Sequence, residues 1–168
     1  TANLFPVLRR SRQQPVTTMT INPPIGRILR ASTTGFAVGC RVNQLDAPSF
    51  GGLVKAQPVD AREAIYGLIY DMHIDDDPII RRLVMVDQPR QSVIEDQRNN
   101  RLLPLEMSVL TVGYRLGEAI VHGLPPRPPL NLDPIYLCSQ SNEIIDFSQG
   151  TGYLRLILSS ATDKVPVD

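Results

Sequence analysis

The sequence predicts a mainly β protein, a single small closed β-barrel of about six strands with short inserted and C-terminal helices. Three observations carry that prediction. Apolar residues recur with period two in the runs 36–42, 64–74 and 107–116, the signature of strands that bury one face. Fifteen prolines and eleven glycines punctuate the chain, which suits short strands and turns better than long helices. At 168 residues, 42% hydrophobic and 20% charged, the chain fits one globular domain, and closing one sheet on itself spares many short strands an exposed edge.

Residues 1–20 read as an N-terminal arm. Leu4, Phe5, Val7 and Leu8 stand beside Arg9, Arg10 and Arg12 before a break at Pro15. Two readings stay open, a docking segment that enters a neighbour's groove or a loose terminus. The barrel domain is expected over residues 21–124. Residues 25–32 make a first strand, and Thr33, Thr34 and Gly35 turn it into a second, where Phe36, Val38, Cys40 and Val42 alternate with smaller or polar residues. The run 50–58 follows, with Gly51 and Gly52 permitting a bulge.

The organising strand spans residues 64–74. Tyr66, Leu68, Tyr70, Met72 and Ile74 share one face, while Ile65, Gly67, Ile69, Asp71 and His73 share the other. Gly67 is expected where the strand coils. Asp77 and Pro78 then supply an N-cap and a first helical position. Ile79, Ile80, Leu83 and Val84 follow at helical spacing. Ser92 with Glu95 has the pattern of a capping box. In the run 107–116, Leu110, Val112, Tyr114 and Leu116 line one face, expected to meet the Tyr66 face as barrel core. Residues 117–123 are expected to close the barrel. Residues 125–168 form a proline-rich exit and a short helical extension packed on the barrel, in which Asp133 and Pro134 start a helical turn.

Chemistry-bearing patterns are few. Asp71, His73 and Asp75 share one strand face, and two carboxylates with an imidazole suit a divalent metal, as in a small metal-dependent hydrolase or nuclease. Aspartates before a proline equally suit a turn and a helix start. Asp76 and Asp77 belong to the same run. No G-x-x-x-x-G-K-[ST] phosphate loop, no G-x-G-x-x-G, no G-x-S-x-G and no paired zinc cysteines occur. Gly150 and Gly152 read as a turn. Seventeen basic and seventeen acidic residues leave no global field to attract nucleic acid. Lys55 and Lys164 are the lysines and the other basic residues are arginine. A nucleic-acid-binding barrel would act through Arg9, Arg10, Arg12 and Arg27. Cys40 and Cys138 make no disulfide framework. No apolar run reaches signal-peptide or membrane-spanning length. A cytoplasmic location is the expectation.

The order of signals resembles a known family. An opening strand and hairpin, IGRILRASTTGFAV, lead to FGGLVKA, then IYGLIYDMHIDDDP, then GYRLGEAI and PPRPPLNL. Over residues 25–132 this resembles the HAS barrel of HerA-type DNA-translocating ATPases and of ATP synthase α and β subunits. The resemblance implies a non-catalytic barrel that sits on one end of an ATPase ring, stabilises it and offers a docking face, in HerA-type machines to a nuclease. The chain carries no ATPase phosphate loop, so no catalytic, cofactor-binding or metal-binding residue is carried over. The expectation is an interaction module with a protein partner, which is an ATPase, a nuclease or another copy of itself, and with no cofactor.

Overall fold

A computed structural model describes residues 23–41, 48–57, 63–74, 76–100, 104–139 and 141–160. The expected N-terminal arm, with Arg9, Arg10 and Arg12, lies outside the described residues, as does Asp75. In chain order the elements are β1 (Gly26–Ala31), β2 (Gly35–Arg41), β3 (Leu53–Ala56), β4 (Glu63–Ile74), α1 (Pro78–Val84) and α2 (Gln91–Asn100). They continue with β5 (Pro104–Leu116), β6 (Ala119–Val121), β7 (Pro134–Leu137), α3 (Ser141–Ser148) and α4 (Gly152–Ser160). The strands run β2-β1-β7-β3-β4-β5-β6, and a further β2–β5 pairing closes the first six into a barrel, leaving β6 outside. Every pairing is antiparallel. The protein is a mainly β, closed barrel with short helices, as the sequence predicts.

Two assignments within it change. Residues 119–121 form a hairpin arm on β5 and do not close the barrel; β2 against β5 does. The missing sixth stave is β7, which lies beyond residue 124 and sits between β1 and β3. Pro134 begins this strand, directly after Asp133, and no helical turn starts there. Asp133 Oδ2 accepts from Leu130 N at 2.8 Å, closing the preceding turn. Pro134, first in its strand, needs no ladder donor. The β-branched and aromatic run Ile135–Tyr136 then pairs.

The faces of the long hairpin also change. Against β5, the register of β4 slips between Tyr66 and Gly67 and again between Ile69 and Asp71, so Val112 on β5 and Tyr70 on β4 are the extra residues. Ile65, Ile69 and Met72 point into the barrel with Ile28, Phe36, Val38, Val54, Met107, Val109 and Ile135. Tyr66, Leu68 and Tyr70, expected inside, line the outer wall with Leu110 and Val112 in a second core completed by Phe147, Tyr153 and Ile157 of the C-terminal helices. Ile74 and Leu116 are exposed. Period two shows that the faces alternate; it does not show which face is inward when both are apolar.

Asp77 caps α1 as read, accepting from Ile79 N at 2.7 Å with Pro78 in the first turn. The second helix starts earlier than expected. Val93 N and Ile94 N bond Arg90 O, which places Ser92 inside the first turn, and Gln91 Nε2 donates to Glu95 at 3.1 Å. Inside the barrel, a Cβ on Gly67 would run into the Val109 side chain, and would lie 3.0 Å from Leu110 O and 3.2 Å from Phe36 Cζ. Gly67→Ala should therefore lower the denaturant midpoint at unchanged slope, by an equivalent of about 1–3 kcal/mol. An unchanged midpoint would show that this close approach carries no load.

Candidate functional site

Asp71 and His73 stand on the outward face of β4, beyond its bulge, with His73 Nδ1 3.4 Å from Asp71 Oδ2 and both side chains about half exposed. Directly across from His73 on β5 is Glu106. Arg30 reaches from β1 past the small outward residues of β2 and grips both Glu106 oxygens, with Nη1 3.1 Å from Oε2. That hydrogen bond, helped by the Arg30 and His73 charges, holds the Glu106 carboxyl below its ordinary range, against burial that raises it. The structure thus places Asp71 and His73 in a line of ionic groups on the barrel wall. Among the described residues no three His, Cys, Asp or Glu side chains gather as a metal site would require.

Arg27, a candidate for nucleic acid, is exposed and also reaches the proline run. Its Nη1 donates to Leu132 O at 2.8 Å, while Leu132 N bonds Ile28 O at 2.8 Å. These two bonds hold Leu132 at a φ of 69°, a conformation few branched side chains adopt. The proline run is thereby laid on the barrel, with Pro125 and Pro129 buried. A cavity of about 240 Å³ lies between Pro128, Pro129, Leu130 and the wall at Glu63 and Ile65.

The most developed surface is the C-terminal helical layer. Its inner side is fastened by groups far apart in sequence. Lys55 Nζ on β3 meets Glu143 Oε1 on α3 at 2.5 Å, with both side chains largely buried. Phe147 packs against Tyr66 with ring centroids 4.9 Å apart and the rings tilted by 45°. His122, just past β6, lies edge-on to Phe147 at 4.8 Å and to Tyr153 of α4 at 5.3 Å. Its Nε2 bonds Phe147 O at 2.7 Å, where a carbonyl acceptor requires the ring nitrogen to donate. Gly150 and Gly152 close over this side chain: a Cβ on Gly150 would stand 3.0 Å from the ring, and one on Gly152 3.0 Å from the His122 Cβ and 3.4 Å from the ring. The turn read at these glycines is therefore one shaped by the imidazole. Beneath the layer, burial pushes the Tyr66 hydroxyl and the Cys138 thiol each up to about 12.

The outer side of the layer is apolar too. Ile144 and Ile145 of α3, and Leu154 and Leu158 of α4, are exposed by 40%, 55%, 43% and 65%. Surface helices ordinarily place charge there. Ile79 and Val84 of α1, with Met85 and Val86 after it, are likewise exposed. These residues were not singled out from sequence as a surface, because the mixed period of residues 143–159 hides two short helices with apolar groups on both sides. No protein-family model matches the chain, and no curated protein matches it.

Two outcomes follow from this geometry. Cys40 and Cys138 are buried, unpaired and raised by burial, so neither should react with a thiol reagent at about pH 8 until the protein unfolds. Rapid labelling of the folded protein would contradict their burial. Glu106, held below its ordinary value in the folded state, contributes stability above the unfolded carboxylate value of about 4.3. Arg30→Ala should return the Glu106 titration, followed by NMR, towards that value. The stability gap between the two proteins should shrink as pH falls through the depressed wild-type value. A gap independent of pH would show that Arg30 acts through packing.

Proposed function

We propose that this chain is a non-catalytic interaction module, an assembly or docking subunit of an oligomeric complex of the ATPase type. The observation that carries this reading is the α3–α4 layer, fastened to the barrel on one side and apolar on the other. A rigid barrel holding an apolar helical face outward suits protein recognition, because side chains already fixed lose little entropy on binding. The resemblance to the HAS barrel supports the same role and points to an ATPase ring, its nuclease or another copy as the partner. Arg27, Lys55 and His122 each make a contact that holds the fold together. A cytoplasmic home is consistent with Cys40 and Cys138 as free thiols. Among the described residues no helix is long and apolar enough to cross a membrane.

The test pairs light scattering of the purified chain with cross-linking in its native cells. The comparison is a variant carrying Ile145→Glu, Leu154→Glu and Leu158→Glu, exposed positions whose change leaves both cores intact. The wild type should associate with itself or with a defined protein, and the variant should lose that contact. A strict monomer with identical cross-links for both proteins would end this reading. Heat on titration with Mn, Mg or Zn, abolished by Asp71→Asn, would instead revive a metal-dependent hydrolase at Asp71 and His73.

A further inference from the structure

We infer that the barrel wall carries, between Arg30 and Tyr70, a binding site for a small neutral polyhydroxy ligand, a single sugar ring. This goes beyond the interaction-module reading and does not depend on it. A cavity of about 280 Å³ lies there, just under the size usual for drug-sized ligands and on the scale of one pyranose. Its shape follows from the ladder. Phe36 and Val38 point into the barrel, so Ala37 between them points out, and Met107 and Val109 place Ser108 outward in the same way. Ala37 pairs with Arg30 on one side and with Ser108 on the other. Ser108 in turn pairs with Asp71, next to Tyr70, the extra residue of the β4 bulge. Two long side chains therefore flank two short ones, and the gap between them is the cavity. The β1–β2 turn lines it with Ser32, Thr34 and Gly35.

The class of ligand follows from what the lining offers. Its polar side chains are four hydroxyls, those of Ser32, Thr34, Ser108 and Tyr70, and the Arg30 guanidinium. Ser32 Oγ and Thr34 Oγ1 stand 3.0 Å apart. The Ser108 and Tyr70 hydroxyls have no hydrogen-bond partner among the described residues. Charge argues against an anion. Glu106 grips Arg30 through both carboxylate oxygens and balances it, so an anion brought to Arg30 would meet a carboxylate already in place. A hydroxyl both donates and accepts, and it rotates to suit its partner. A cluster of four matches a ligand whose own groups do the same, as those of a sugar do. Ala37 and Leu110 add the apolar patch that the C–H groups of a ring require. A ligand of this size held by one wall binds weakly, with a dissociation constant on the order of 1 mM.

Amide NMR of the full chain, titrated to about 50 mM with glucose, galactose or mannose, covers that range. At least one sugar should give saturable shifts at Gly35, Ala37, Tyr70 and Ser108, while inorganic phosphate at the same concentration should give none there. Ser108→Ala and Tyr70→Phe each remove one hydroxyl and keep the rest of the side chain. Each should raise the dissociation constant about five-fold with an unchanged unfolding midpoint. The double variant should no longer approach saturation. Absence of saturable shifts with all three sugars overturns the inference, as do shifts centred elsewhere or unaffected by both substitutions. Saturation by phosphate in place of a sugar also overturns it, because the site would then select for charge.

Discussion

The architecture depends on one wall. β4 and β5 run 12 and 13 residues and pair along nearly their whole length, and this hairpin is apolar on both sides. One side fills the barrel with Ile69, Met72, Met107 and Val109. The other supports the helices through Tyr66, Leu110 and Val112. An antiparallel sheet commonly leaves one face to water; here a second apolar face requires a second layer. The two bulges make this possible, since each inserts a residue and exchanges the faces that follow it. After the slip at Tyr70, the polar Asp71 and His73 come outward and are exposed, and Met72 turns in.

What the sequence reveals of this follows from how local each constraint is. The hairpins at Ser32–Gly35 and the start of α1 at Asp77 and Pro78 are set by neighbouring residues and are legible directly. Closure of the barrel was legible as a need, since short strands require partners, but the identity of the sixth stave was not. Ile135 and Tyr136 follow a proline run whose composition suggests an exit from the domain, and only pairing with Gly26 and with Lys55 and Ala56 makes them a strand. The inward face of β4 was illegible for a sharper reason. Tyr66, Leu68 and Tyr70 are as apolar as a barrel lining, and nothing within the strand reports the helices that cover them about 80 residues later. Of the candidate site, Asp71 and His73 were visible because they are close in sequence. Their partners Glu106 and Arg30 were not, being neighbours through the ladder alone.

The ionic groups divide according to burial. Arg81 with Asp76 and His73 with Asp71 are exposed, and such pairs contribute little, being screened and costly in side-chain order. Lys55 with Glu143 is largely buried and spans barrel and helix. Removing one partner there would strand a charge in a low-dielectric layer, which costs more than the pair itself contributes. This bond therefore fixes where α3 sits more than how stably it sits. His122 acts in the same way through the carbonyl of Phe147 and the two glycines packed on its ring.

Fixing the helices has a consequence for the surface they present. A helix of eight or nine residues is marginal by itself, and neither α3 nor α4 would keep its outward groups in place without the contacts beneath. With Phe147 and Tyr153 held against Tyr66 and His122, the positions of Ile145, Leu154 and Leu158 are set by the barrel itself. A substitution at Tyr66 or His122 would accordingly reach the outward groups without touching them, by loosening the helices that carry them. Positioning of this kind separates the two ways of losing an interaction. Changes on the outer face remove the contact and leave unfolding unchanged, whereas changes beneath it lower the stability of the layer and the contact together.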